Sequence, residues 1–272
     1  MNRILYSMFY DMLEQEHIAY KIDLGLAVVC KKAPLWIWLR DGVNESDTRL
    51  FFNGFLERFG ENLQGEGGGD TGLVGLVASK ESALICADIY GGRYGLSYTT
   101  REMIGYYLPG KSTISLSVPI ASGEIRLATP SDMPLVMEWI QRFYAETLEA
   151  PAPWSTGKKS LPVECSFLPN KKQPAHHSGV ATKLYIWWDS TPVAMGTLSC
   201  TRASSRINLV YTPPELRGRG YAKVLTAALA RQAQNNGSIP VLYTTSDNIA
   251  ANKLYRGLGF LETGRLVEVR FK

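Results

Sequence analysis

The sequence predicts an α+β protein in which a mixed, mostly antiparallel central sheet is flanked by helices, preceded by an N-terminal α+β domain. Three observations carry that reading. Apolar, β-branched runs of five to nine residues recur along the chain, most densely in a meander between Lys183 and Thr212. Stretches of helical period alternate with them. Near the C-terminal third, a strand breaks at two consecutive prolines and gives way to a glycine-rich turn and an amphipathic helix.

Composition sets the frame. At 272 residues the chain holds one large or two ordinary domains, and 45% hydrophobic residues suffice for a core. A net charge of +4 lacks the concentrated basic face of a nucleic-acid binder, so no nucleic-acid partner is expected. No apolar run reaches the roughly 18 residues of a membrane span, and Asp11, Glu14 and Glu16 interrupt the N-terminus as a signal peptide, so neither a membrane nor secretion is expected. Cys30, Cys86, Cys165 and Cys200 are scattered without CxxC spacing and read as reduced cysteines of a cytoplasmic protein. His17, His176 and His177 form no ligand pattern with them, so no metal is expected.

In order, Ile4, Leu5, Met8, Phe9, Met12 and Leu13 keep helical spacing. Leu26–Cys30 and Leu35–Leu39 read as strands. Ser46–Phe59 reads as a helix capped by Ser46 or Asp47 and stopped by Gly60. Gly65–Asp70 is too glycine-rich for one shape, and no Lys-Ser or Lys-Thr follows to make it a phosphate loop. Leu73–Ala78 and Ala83–Ile89 read as paired strands, Tyr94–Tyr98 as another, Thr100–Leu108 as a short helix and Ile114–Val118 as a strand. This order over residues 1–120 is compatible with a degenerate second copy of the C-terminal fold, and equally with an unrelated lid or dimerisation domain, so a homodimer is left open.

Pro119–Gly123 is a short linker, after which Glu124–Asp132 reads as strand, turn and helix cap. The following helix carries Leu135, Val136, Trp139, Ile140 and Phe143. Pro151–Gly179 is irregular and proline-rich, the sort of stretch that often forms a functional lid. Lys183–Trp188, Pro192–Cys200 and Arg206–Thr212 form the meander, with turns at Asp189-Ser190 and Ala203–Ser205.

The central stretch follows. Pro213-Pro214 ends the strand. Arg217-Gly218-Arg219-Gly220-Tyr221-Ala222 then opens a helix whose apolar face is Tyr221, Val224, Leu225, Ala228 and Leu229, and Asn235-Asn236-Gly237 closes it. The first N–H groups of a helix lack internal partners, and the macrodipole places roughly half a positive charge there. With glycines that admit close approach and two arginines, the turn suits a phosphate or pyrophosphate. A strand at Val241–Thr244 leads to a second helix, Asn248–Tyr255, closing on Gly259-Phe260; Arg265–Phe271 is the last strand.

Arg217-x-x-Gly220-x-Ala222 resembles the acyl-CoA pyrophosphate loop of the GNAT family, the GCN5-related N-acetyltransferases. Asn248–Phe260 resembles that family's second motif, an Asn-initiated helix carrying a tyrosine. The resemblance covers roughly residues 124–272, giving a domain at 122–272 after an N-terminal domain at 1–120 of unknown role. It implies an acetyltransferase-like fold and acetyl-CoA as cosubstrate, its acetyl group passing to an amine by direct attack. Under it, the backbone of Arg217, Gly218, Arg219, Gly220, Tyr221 and Ala222 would hold the pyrophosphate. Val210, Tyr211 and Thr212 would offer a splayed strand edge to the pantetheine arm, and N–H groups near Tyr211 and Thr212 would polarise the thioester carbonyl as it becomes an oxyanion. Asn248 would cap its helix and reach the cofactor, and Tyr255 would protonate the leaving thiolate. The glutamate that many members carry on the strand before the prolines is absent, since that neighbourhood reads Arg206, Asn208, Val210. Glu138 and Glu146 are candidates for the base by location alone. The acceptor, a small-molecule or peptide amine, is not named by any motif. The missing glutamate also keeps open a non-catalytic acyl-CoA-binding regulatory module. No second Arg-x-x-Gly loop appears in residues 1–120, so that half is not expected to bind acyl-CoA.

Overall fold

The computed structural model describes residues 18–29, 34–63, 72–109, 121–148, 181–200 and 204–272. The expected helix at residues 4–13, the Gly65–Asp70 loop, the Ile114–Val118 strand and the Pro151–Gly179 stretch lie outside them. The chain divides into two compact units. The first comprises residues up to Gly105 with Tyr243–Ile249 and Glu262–Lys272; the second comprises Tyr106–Leu242 and Ala250–Leu261.

In the first unit, β1 (Ile18–Ile22), β2 (Gly25–Val29), β3 (Leu35–Leu39), β4 (Gly75–Ala78), β5 (Tyr98–Tyr107) and β11 (Leu261–Phe271) run in the order β1-β2-β3-β4-β11-β5. β3 and β4 are parallel, while β11 lies antiparallel to β4 with Val269 opposite Leu76. Two helices, α1 (Glu45–Leu63) and α2 (Lys80–Tyr94), bury Phe51, Phe52, Phe55, Ala83, Cys86 and Tyr90 in one cluster with Leu35, Leu76 and Val269.

Five expectations in this half are corrected. Ala83–Ile89 is helical, within α2, because Ser79 accepts from the Ser82 N–H as N-cap and Ala83, Cys86, Ala87 and Tyr90 bury one helical stripe. Thr100–Leu108 is not helical: residues through Tyr107 belong to β5, and Tyr94 ends α2 rather than starting a strand. Helix α1 is capped by Asn44, whose Oδ1 accepts from Asp47 N–H at 2.9 Å while Asp47 reaches back to the Asn44 N–H. It runs through Gly60 to Leu63.

In the second unit, β6 (Glu124–Leu127), β7 (Ala181–Asp189), β8 (Thr191–Cys200), β9 (Ser204–Tyr211) and β10 (Ile239–Thr245) run in the order β10-β9-β8-β7-β6. Pairing is antiparallel except between β9 and β10. Ser204 and Ser205, expected in a turn, belong to β9. Helix α3 (Met133–Leu148) packs Val136, Trp139 and Ile140 on Leu184, Ile186, Met195 and Tyr211. Helix α4 (Tyr221–Asn235) lies so close to β8 that a Cβ at Gly196 would stand 3.1 Å from Leu229 Cδ1. Helix α5 (Ile249–Gly257) follows β10.

Candidate functional site

The end of β9 is irregular. Met195 faces Tyr211 and Thr197 faces Asn208, so Leu209 and Val210 together oppose the single residue Gly196. This is a β-bulge, and Leu209 adopts φ 50° to make it. On its other edge β9 pairs with β10 only over Ser204–Arg206. Val210, Tyr211 and Thr212 therefore sit beyond the paired part of that edge, and Pro213 and Pro214 carry no N–H to extend it.

A 3-10 turn at Pro214–Leu216 leads into the glycine turn. Gly218 and Gly220 have φ 79° and 86°, a left-handed conformation that L side chains rarely adopt. Space in front of them is open: a Cβ at Gly218 would meet nothing within 4 Å, and one at Gly220 only the Ala121 Cβ at 3.9 Å. The first helical bonds run from Lys223 and Val224 to the Gly220 carbonyl. The N–H groups of Gly218, Arg219, Gly220, Tyr221 and Ala222 accordingly have no acceptor among the described residues. Unpaired donors, a helix N-terminus and open space fit an anionic group such as a pyrophosphate.

The two arginines differ. Arg219 is exposed beside the turn. Arg217 is turned away: its Nε donates to the Thr212 carbonyl at 2.9 Å, its guanidinium pairs with Glu146, and its Cζ lies 5.8 Å from the centre of the Tyr211 ring. Its backbone N–H is taken by the Pro214 carbonyl at 3.2 Å, so, contrary to the sequence expectation, Arg217 does not join the backbone donors and acts on an anion there only through its long-range field. The Tyr221 hydroxyl donates to Asp189 Oδ2 at 2.6 Å, where Ser122 also donates at 2.8 Å. These donors hold the Asp189 carboxyl below its ordinary pKa.

Tyr255 sits in α5, 8% exposed, with its ring against Tyr106 and Phe260. Burial, then the neighbouring Tyr106, pushes its pKa up to about 12. It is a neutral phenol at pH 7, the form a general acid needs. No hydrogen bond among the described residues joins it to the 210–222 stretch. Asn248 precedes α5, its N–H donating to the Thr245 carbonyl, and lies in the first unit. The structure therefore gathers Tyr211, Thr212 and Arg217–Ala222 into one locality in the second unit.

Of the two candidates for the base, Glu138 pairs with Arg142 one turn along the helix, and both are exposed. Glu146 has both oxygens engaged, Oε1 by the Tyr211 hydroxyl at 3.0 Å and Oε2 by Arg217. Asn252, buried and accepting from Tyr106, was not singled out by any sequence signal. No group of His, Cys, Asp and Glu arranged to hold a metal occurs among the described residues. No helix among them is long and apolar enough to cross a membrane.

Residues 188–269 match the family model described as FR47-like protein, a span that contains both the 217–222 turn and the 248–260 helix. The structure is similar to a GCN5-related N-acetyltransferase from Kribbella flavida, with 12% identity, a TM-score of 0.59, and 99% of this chain and 94% of that one covered. It is also similar to a functionally unknown conserved protein from Staphylococcus epidermidis (10% identity, TM-score 0.60, 94% of each chain). A GCN5-related N-acetyltransferase-like protein from Streptococcus suis matches with 13% identity and a TM-score of 0.52, over 98% of this chain and 93% of that one. No curated protein matches the chain in sequence. The fold is acetyltransferase-like, and the GNAT resemblance read from the two motifs stands.

Proposed function

We propose that the protein is an acetyl-CoA-dependent N-acetyltransferase that moves an acetyl group to an amine by direct attack in a ternary complex. The observation that carries this reading is the juxtaposition of a bulged, splayed strand end with a glycine turn and helix N-terminus at which the N–H groups of Gly218–Ala222 have no acceptor among the described residues. Bound acetyl-CoA supplies the activated thioester. The N–H groups of Gly218–Ala222 bind its pyrophosphate, and Val210–Thr212 orient its amide-bearing arm along the free edge. N–H groups at Tyr211 and Thr212 stabilise the oxyanion, and Tyr255, neutral at pH 7, gives its proton to the leaving sulfur. Asn248 keeps its role as the cap of α5 in this reading. The acceptor is a small-molecule or peptide amine, and the setting is cytoplasmic.

Thermal denaturation with acetyl-CoA, ATP or NAD, on the wild type and on Gly220→Asp, tests it. Ligand at 100 times Kd adds about 2.7 kcal/mol, which for a unit of this size is roughly 5–10 °C. A shift specific to acetyl-CoA and lost in the variant is the expected result. Thiol release against a panel of amines then separates catalysis from the non-catalytic module, which would bind and release none.

A further inference from the structure

We propose that Glu146 is the positioning residue of the acyl-CoA loop, a role that rests on the acetyltransferase reading above. Glu146 lies in the last turn of α3, where the macrodipole disfavours a carboxylate and no basic residue of that turn offsets it. Helix stability does not account for an acid at this position, but its partners do. Oε1 accepts from the Tyr211 hydroxyl at 3.0 Å, and Oε2 pairs with the Arg217 guanidinium. One carboxylate thus ties the end of β9 to the start of the glycine turn.

Arg217 completes the tie. Its Nε donates to the Thr212 carbonyl at 2.9 Å and its guanidinium lies over the Tyr211 ring. Between Thr212 and Arg217 the chain folds into a tight turn, closed by Leu216 N–H to Pro213 O and Arg217 N–H to Pro214 O. With Glu146 in place, the strand edge proposed for the arm and the N–H cluster proposed for the pyrophosphate are held in one register. An exposed ion pair contributes little alone. Here four contacts share two side chains, so removing either end releases the same network. With both oxygens engaged, Glu146 acts through Arg217 and Tyr211 rather than on a reacting atom.

The test is calorimetric titration of acetyl-CoA into the full chain as wild type, Glu146→Ala, Arg217→Ala, the double variant and Glu146→Gln, with steady-state kinetics and apo melting alongside. Each alanine variant is expected to raise Kd and KM about 5–20-fold while kcat stays within about twofold. The double variant should be no worse than the weaker-binding single. Glu146→Gln, which keeps an acceptor for Tyr211, should recover part of the loss. Multiplicative losses in the double variant, or an unchanged Kd in Glu146→Ala whether or not the melting temperature falls, would overturn the role. So would a collapse of kcat at unchanged Kd, which would move Glu146 into the chemistry. A wild type that binds no acetyl-CoA would overturn the acetyltransferase reading itself, and this role with it.

Discussion

The hydroxyl of Tyr106 donates to Oδ1 of Asn252 at 2.7 Å, and both side chains are buried. Asn252 is one turn before Tyr255 on α5, and the Tyr106 ring lies 5.8 Å from the Tyr255 ring. A single tyrosine therefore orders both the helix and the proposed acid. Tyr106→Phe keeps the ring contact and removes the donor, leaving a buried amide oxygen short of that bond. The expected loss is about 1–3 kcal/mol, read as a lower urea midpoint with unchanged m-value. An unchanged midpoint would show that the bond contributes nothing net.

At Gly220 a side chain meets open space but a left-handed backbone, φ 86°. Ala there carries a strain of roughly 1–2 kcal/mol, and its methyl narrows the approach of a ligand. Asp tolerates this conformation better and suits a helix N-terminus, yet it places a negative charge where a pyrophosphate would sit. Gly220→Asp is thus expected to melt no lower than Gly220→Ala while losing acetyl-CoA affinity by at least about 100-fold. Parallel melting and titration of the two variants check this. An Asp variant that binds normally removes the turn from the site.

Asp132 offers a pH test. Arg126 grips it through Nη2 to Oδ1 at 2.7 Å and Nη1 to Oδ2 at 2.8 Å, and the Thr129 N–H and hydroxyl both donate to Oδ2. The Arg126 pairing chiefly, then the Thr129 donors, hold the Asp132 carboxyl well below the usual carboxylate range. A depressed folded-state pKa contributes stability above the unfolded value, roughly 4, and loses it as pH falls through the folded value. Asp132→Asn should cost about 1–2 kcal/mol at pH 7. The gap to wild type should close progressively below pH 4. A gap independent of pH would mean that shape rather than charge is what Asn lacks.

What was legible in the sequence is what depends on near neighbours. Pro213-Pro214, Gly218, Gly220 and the helical stripe behind them define the turn within seventeen residues, and the structure keeps it. The bulge at Leu209 was visible only as an expected splay, because its register is set by Gly196 on β8. Ala83–Ile89 is an almost unbroken apolar run, which fits a strand or a helix until the cap at Ser79 and the packing of α1 on α2 decide. Residues 100–107 are strand because they lie in the sheet beside β11, where a Cβ at Gly105 would stand 2.9 Å from Thr263 Cγ2. β11 joins β4 across 189 to 195 residues of sequence, and Glu146 meets partners 65 and 71 residues away. Pairings of that range leave no local pattern.

Tyr255 separates acid from packing. Its phenol, pushed up to about 12 by burial, stays protonated throughout the range in which enzymes are assayed. A proton donor is competent below its pKa and lost above it, so kcat should show no alkaline limb from this group below about pH 11. Tyr255→Phe keeps the rings against Tyr106 and Phe260 and removes only the hydroxyl. If the phenol protonates the departing thiolate, kcat falls about 10²–10⁴-fold while KM for acetyl-CoA moves little. The loss should also be smaller for an acyl donor whose thiol has a lower pKa, because that leaving group needs a proton less. A raised KM at unchanged kcat would make Tyr255 a packing residue of α5, and the acid would have to be sought elsewhere.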